Sequence, residues 1–286
     1  MNTPNKNKTK YILITGCSSG IGYCVAKGLK QKGYHVIATA RRKESVEKLS
    51  SEGFTSLQLD LADSTSIKTA FEKVMQLSDG KLYALFNNGA YGLPGAVEDL
   101  SRDALRSQFE TNVFGWHELT TLVIPVMRKQ GYGRIIQNSS VLGLVAMPFR
   151  GAYNASKFAI EGLSDTLRLE LKATDIHISL IEPGPIMSKF RDNALIALQK
   201  YIDIDNSFHK EKYLGILARL NKKGAAVPFT LPPEAVLKRV IYALESKRPK
   251  ARYCVTVPTY IFAWLKRILS TRQLDKLLAK AGSDDK

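Results

Sequence analysis

Short apolar runs alternate along this chain with longer stretches in which apolar residues recur every three or four positions. Tyr11-Ile12-Leu13-Ile14-Thr15 is the first run and ends in a glycine cluster, which predicts a buried strand. Residues 20–32 place Ile21, Val25 and Leu29 on one helical face and stop at Gly33, a helix with its terminator. The same alternation predicts strands at 34–38, 55–59, 82–86, 134–137 and 176–181, with helices at 43–52, 64–77, about 101–129 and 152–173. The strands are apolar throughout, as strands covered on both faces are. The expectation is an α/β fold: a Rossmann-type, doubly wound parallel sheet in one domain over residues 10–258. The rhythm breaks after Pro185. Residues 187–230 contain no clear strand and read as an insertion over the end of the sheet. A helix at 232–246, a short strand near 252–257 and a basic amphipathic segment at 259–286, helical over 259–280, close the chain.

Composition narrows the class. The chain has 286 residues, 44% of them hydrophobic and 24% charged, which is globular and excludes disorder or a coiled-coil rod. Three cysteines, an odd and sparse set, argue against a disulfide framework and for a reducing compartment. The four histidines share no ligand spacing with each other or with the cysteines, so no metal site is expected. The net charge of +16 is concentrated at the two ends. Lys6, Lys8 and Lys10 stand in the first ten residues without an acid; residues 238–280 hold eleven cations against Glu245 and Asp275. Such ends attract polyanions, but no basic groove with interleaved aromatics appears, and nucleic acid is not expected as a partner. The polar N-terminus lacks the apolar region of a signal peptide, and the longest lipid-compatible run, Val255 to Leu265, is too short to span a bilayer. A soluble cytoplasmic protein is expected.

The candidate chemistry begins after the first strand. In Thr15-Gly16-Cys17-Ser18-Ser19-Gly20-Ile21-Gly22, three glycines let backbone N–H groups approach a phosphate at the positive end of the following helix. After the second strand comes Arg41-Arg42, with no acid between Gly33 and Arg42. A guanidinium there suits a ribose 2′-phosphate and favours NADP over NAD; the alternative is a solvated helix start. Tyr153 and Lys157 stand one helical turn apart, where an ammonium would lower the phenol's pKa and ready it for proton transfer. Ser139 and Ser140 close the fifth strand, at the sheet edge where open α/β folds place their sites.

Taken in order, the glycine turn, Asp60, Asn87-Asn88-Gly89, Asn112, Ser140, Tyr153 with Lys157, and Pro183-Gly184-Pro185 resemble the classical short-chain dehydrogenase/reductase family. Within it the chain looks most like bacterial aldehyde/ketone reductases related to 17β-hydroxysteroid and retinol dehydrogenases. The resemblance implies hydride transfer between a nicotinamide cofactor and an alcohol or carbonyl, and a homo-oligomer. It implies Tyr153 as general acid or base, Lys157 as its modulator and ribose partner, Ser140 as oxyanion stabiliser with Ser139 its rival, and Asn112 as holder of a relay water. It assigns Gly16, Ser18, Ser19, Gly20, Ile21 and Gly22 to the diphosphate and adenosine side. Arg41 would take the 2′-phosphate, Asp60 and Leu61 the adenine, and the backbone at Asn88 and Gly89 the adenosine ribose. Pro183, Gly184, Ile186 and Ser188 would line the nicotinamide. Two departures stand out: Asn87-Asn88-Gly89-Ala90 swaps the usual alanine and glycine, which is expected to loosen that turn, and Met187 precedes Ser188.

For the substrate, residues 91–97, 141–150 and 187–230 offer Tyr91, Leu93, Leu142, Met147, Phe149, Phe190, Leu195, Phe208, Tyr213, Leu214 and Leu217 as walls or as packing for the insertion. As walls they suit a lipophilic carbonyl or alcohol. The expected function is therefore NADP(H)-dependent reduction or oxidation of such a compound. The alternative is a non-catalytic NADP(H)-binding sensor or a membrane-surface module. The tail allows two readings: a helix docked on the core, or one lying on an anionic membrane.

Overall fold

The computed structural model describes residues 9–222, 224 and 227–282. Lys6 and Lys8 of the basic N-terminus and residues 283–286 of the C-terminal segment lie outside them. In chain order the elements are β1 (Tyr11–Ile14), α1 (Gly20–Gln31), β2 (His35–Ala40), α2 (Lys43–Ser51), β3 (Thr55–Gln58), α3 (Ser64–Leu77), β4 (Ala84–Asn87), α4 (Arg102–Phe109) and α5 (Gly115–Gln130). They continue with β5 (Gly133–Asn138), α6 (Gly151–Glu170), β6 (Ile176–Glu182), α7 (Phe190–Tyr201), α8 (Lys210–Asn221), α9 (Glu234–Glu245), β7 (Arg252–Cys254), α10 (Val257–Ile268) and α11 (Thr271–Gly282).

All seven strands run parallel in the order β3-β2-β1-β4-β5-β6-β7. This is the doubly wound α/β sheet that the alternation of apolar runs predicts. Alternate side chains of each strand feed opposite layers. Ile12, Ile14 and Phe86 pack with Val25 and Leu29 of α1 and Val236 and Val240 of α9. Leu13, Leu85 and Ile135 pack on the other face with Val74 of α3, Trp116 and Val123 of α5, and Ile160 of α6. The strand order reverses between β1 and β4, so their C-terminal ends diverge and leave a crevice there.

Two local features differ from the sequence expectation, and a third adds to it. The helix expected over 101–129 is interrupted: a π turn at Glu110–Phe114 separates α4 from α5. Asn112 sits in it, its side chain bonded to the Tyr91 backbone, so a tertiary contact outweighs the regular helical ladder there. The insertion contributes no strand, as expected, but holds α7 and α8, which pack Ala194, Leu198, Tyr213 and Ile216 against Leu93 and Ala152. The tail is two helices. Leu269 leaves α10 extended, and the Gln273 side chain accepts from the Ser270 N–H at 3.0 Å, a capping-box start for α11.

Candidate active site

The crevice opens into a cleft of about 1200 Å³. Its first wall is the turn after β1. Gly16 has φ +71°, and a Cβ on Gly22 would stand 2.2 Å from the Gly16 carbonyl oxygen, so only glycine closes this loop onto the start of α1. Ser19 is the N-cap of α1 but makes no side-chain cap bond, and the first turn carries no acid. The positive helix end is thus directed into the cleft beside Gly16, Ser18, Ser19, Gly20 and Ile21, which line it. Gly22 packs behind them. An anionic diphosphate group fits this glycine cradle on chemistry and on space.

The turn after β4 forms the next part of the wall. Thr15 Oγ1 accepts from the N–H groups of both Asn88 and Gly89 at 2.8 Å, and Asn88 Nδ2 donates to the Thr15 carbonyl at 2.9 Å. Trp116 Nε1 donates to the Gly89 carbonyl at 2.8 Å. The swapped glycine therefore does not loosen the turn, because Thr15 and Trp116 tie it on both sides. Both N–H groups are used within the fold, so Asn88 and Gly89 shape the wall by close packing. Pro183, Gly184, Ile186 and Ser188 line the cleft from the segment after β6.

The chemistry-bearing groups meet on its floor. α6 presents Tyr153 and Lys157 on one face. The Tyr153 phenol stands beside the Ser140 hydroxyl, and its ring meets Phe190 edge-on at 5.3 Å. Ser139 also lines the cleft, its hydroxyl on the side of Glu161. Lys157 is 1% exposed; its Nζ donates to the Asn138 carbonyl at 2.8 Å and lies 4.3 Å from the Trp116 ring centre. The expected lowering of the phenol by the lysine is absent. Burial pushes the Tyr153 phenol up to about 12, with the Ser140 hydroxyl acting the other way. Burial also drives Lys157 down to about 7, opposed by Glu161.

Four expected residues lie away from the cleft wall. Asn112 is buried beneath the floor, its Nδ2 donating to the Tyr91 carbonyl at 2.9 Å and to Ser156 Oγ at 3.2 Å. That side chain is committed, and holds no direct bond to Lys157. Arg41 is exposed just beyond β2, where its carbonyl accepts from Gln58 Nε2. Asp60 Oδ1 accepts from the Ala62 N–H at 3.0 Å, the role of a turn former, and Leu61 is buried against Gly89.

Of the expected substrate walls, Leu142, Met147 and Phe190 line the cleft. Leu93 and Tyr213 are wholly buried in the packing of the insertion, with Tyr91, Phe149, Leu195 and Leu217 against them, and Phe208 is 93% exposed. Sequence reasoning did not foresee walls from the tail. Pro258, Phe262 and Ala281 line the cleft, and Leu274 and Leu278 pack with Phe262 on Val141, Leu142, Val145 and Tyr153. The signal was present as Ser270-Thr271-Arg272-Gln273, a capping box that splits the tail into a hairpin able to fold back.

Residues 10–197 match the family model for short chain dehydrogenases. The chain belongs to that family. This short-chain dehydrogenase is 44% identical to the oxidoreductase YbbO of Escherichia coli K12 over 94% of each chain. It is 32% identical to an NADPH-dependent 3-dehydrocapnine reductase of Ornithobacterium rhinotracheale, over 95% of this chain and 96% of that one. It is 34% identical to human 17-beta-hydroxysteroid dehydrogenase type 1, over 86% and 77% respectively. The dehydrogenase is thus an oxidoreductase built to hold a nicotinamide nucleotide. Among its described residues there is no group of side chains that could hold a metal ion, and no helix long and apolar enough to cross a membrane.

Proposed function

We propose that this enzyme is an NADP(H)-dependent reductase of lipophilic aldehydes or ketones. The observation that carries the reading is a phenol, Tyr153, set beside Ser140 and Lys157 at the foot of a cleft walled on one side by the glycine turn and on the other by Leu142, Met147, Phe190 and Phe262. Two relatives support it in name: one is called NADPH-dependent, another acts on hydroxysteroids.

In this reading the residues from Gly16 to Gly22 and the N-terminus of α1 hold the diphosphate. Arg41 neutralises a 2′-phosphate, and Asp60, Leu61, Asn88 and Gly89 frame the adenosine. Pro183, Gly184, Ile186 and Ser188 bracket the nicotinamide, which supplies the hydride when bound. Tyr153 donates its proton to the carbonyl oxygen as charge develops there, and Ser140 donates a second hydrogen bond to the same oxygen. A phenol raised to about 12 is protonated at neutral pH and stands ready as the acid of a reduction. Lys157 would hold the ribose and return a proton to the phenolate that the donation leaves, itself resupplied through a relay water, which would sit on the Asn112 backbone because the Asn112 side chain is committed. The enzyme is taken to be cytoplasmic and homo-oligomeric, as the resemblance implies.

The test is purified protein with NADPH or NADH and a panel of medium- and long-chain aldehydes, followed at 340 nm. Turnover that prefers NADPH is the expected result. Tight NADPH binding without turnover on any substrate would favour the sensor. Arg41→Asp removes the phosphate partner and adds a repelling carboxylate. It should lower the NADPH/NADH ratio of kcat/KM at least about tenfold, and an unchanged ratio would clear Arg41 of that role.

A further inference from the structure

The α10–α11 hairpin has two working sides. Its inner side is occupied: Thr259 is fully buried, Phe262 packs on the loop after β5, and Leu278 is 5% exposed. Its outer side on α10 is not. Val257, Tyr260, Ile261, Trp264 and Ile268 follow helical spacing along one face and are 48–62% exposed. A contiguous stripe of five large apolar side chains on one short helix is unusual for a free surface and marks a contact site.

Charge says what the contact is. No Asp or Glu occurs between Glu245 and Asp275, while Lys266, Arg267 and Arg272 fall in the hairpin itself. Arg239 of α9 donates to the Tyr260 hydroxyl at 3.1 Å. Arg267, two turns further along α10 than Tyr260, falls on the same flank of the stripe. The apolar face is thus edged by guanidinium groups, with Trp and Tyr among its members, the composition of a helix lying in a bilayer interface. A second copy of the chain would fit poorly. A two-fold contact lays a patch on itself, which would bring in the guanidinium rims of both copies with no acid of this stretch, Glu245 to Asp275, between them to pair with.

We infer that the outer face of α10 docks this enzyme on anionic lipid surfaces, in the plane of the interface and without spanning it. The helix that lies on lipid with one side walls the cleft with the other, through Pro258 and Phe262. The inference does not depend on the substrate class, since the surface exists whatever the cleft accepts.

The experiment is co-sedimentation of the full chain with vesicles of phosphatidylcholine alone or with one quarter phosphatidylglycerol, at low and high salt. Binding is expected on the anionic vesicles only, falling with salt. Ile261→Ser/Trp264→Ser/Ile268→Ser should weaken it about tenfold or more, and Arg239→Gln/Arg267→Gln should do so at low salt. Ile261, Trp264, Arg267 and Ile268 are exposed and Arg239 is half-buried, so thermal unfolding should stay near that of the parent for the triple substitution, and NADPH binding serves as a folding control independent of turnover. Trp264 emission should shift to the blue with lipid; a Trp264→Phe chain, which keeps only the buried Trp116, should show no shift. If the full chain stays in the supernatant with anionic vesicles at low salt, or binds equally after the triple substitution, the inference fails. A concentration-dependent dimer in ultracentrifugation that the triple substitution dissolves would overturn it in favour of a second copy.

Discussion

Tyr153, Ser140 and Lys157 touch one another's surroundings but act through different physics. Tyr153→Phe removes one oxygen and leaves the ring that Phe190 packs against. Turnover should fall by about 10²–10⁴-fold, with NADPH affinity, read by fluorescence, changed by no more than about twofold. Activity within a few fold of the parent would remove Tyr153 from the chemistry. Lys157 makes a prediction about stability instead. Its folded-state pKa is near 7, below the ordinary ammonium value. Between about pH 7 and pH 10 the unfolded chain binds a proton that the folded chain does not, so stability rises with pH across that window. Below the window this contribution is fully lost. Lys157→Met should flatten the rise in melting temperature between pH 7 and 10 while abolishing efficient turnover, a site that costs stability for function. A variant whose melting profile keeps the parent's slope would show that Lys157 carries no such shift.

Among the elements, α11 does the least expected work. It is a polar helix by composition, yet Leu274 and Leu278 close over Val141, Leu142 and Met147 beside the phenol. A chain ending at Ser270 keeps α10 and bares that apolar wall. We expect KM to rise about tenfold for long-chain aldehydes, through lost apolar contact, with a smaller change for short ones. A chain-length profile of kcat/KM measures it, and an unaltered profile would mean that α11 covers the cleft without touching substrate. The strand–helix alternation and the glycine turn were legible because both are local: an apolar run and a closely spaced set of glycines need no partner to be recognised. The tail was not, because the same Leu spacing serves a docked helix and a membrane helix equally. Only the surface it meets decides: Leu274 and Leu278 of α11 dock on the core, while the outer face of α10 stays exposed. Asn112 shows the same limit, since its π turn is set by Tyr91, twenty-one residues away.

At the scale of the whole molecule, one side chain joins the last strand to the helix that carries the chemistry. Arg252 of β7 bonds Glu161 and Asp165 of α6 and Glu182 of β6, the last at 3.0 Å. Glu182 is 1% exposed and also accepts from the Cys254 thiol. Burial raises both glutamates, Glu161 to about 7, with the neighbouring carboxylates adding to the rise and Arg252 opposing it. No sequence pattern marks this hub, since its members lie up to 91 residues apart. Arg252→Leu leaves buried carboxylates without their counter-charge, a loss of about 3–5 kcal/mol that corresponds to a melting temperature lower by about 5–8 °C at pH 8. The pH dependence distinguishes lost charge pairing from lost packing. A carboxyl with a raised pKa binds its proton in the folded chain before it does in the unfolded one. Its contribution is therefore complete below the ordinary carboxylate value and disappears as pH rises through the folded value. Without Arg252 the folded values climb further, so the deficit should be smallest near pH 5, where Glu161 is neutral, and grow steadily toward pH 8. Thermal unfolding of parent and variant at half-unit pH steps reads this directly. A deficit that is constant from pH 5 to 8 would mean that Arg252 holds α6 to the sheet by its stem alone, and that the carboxylates find their compensation elsewhere.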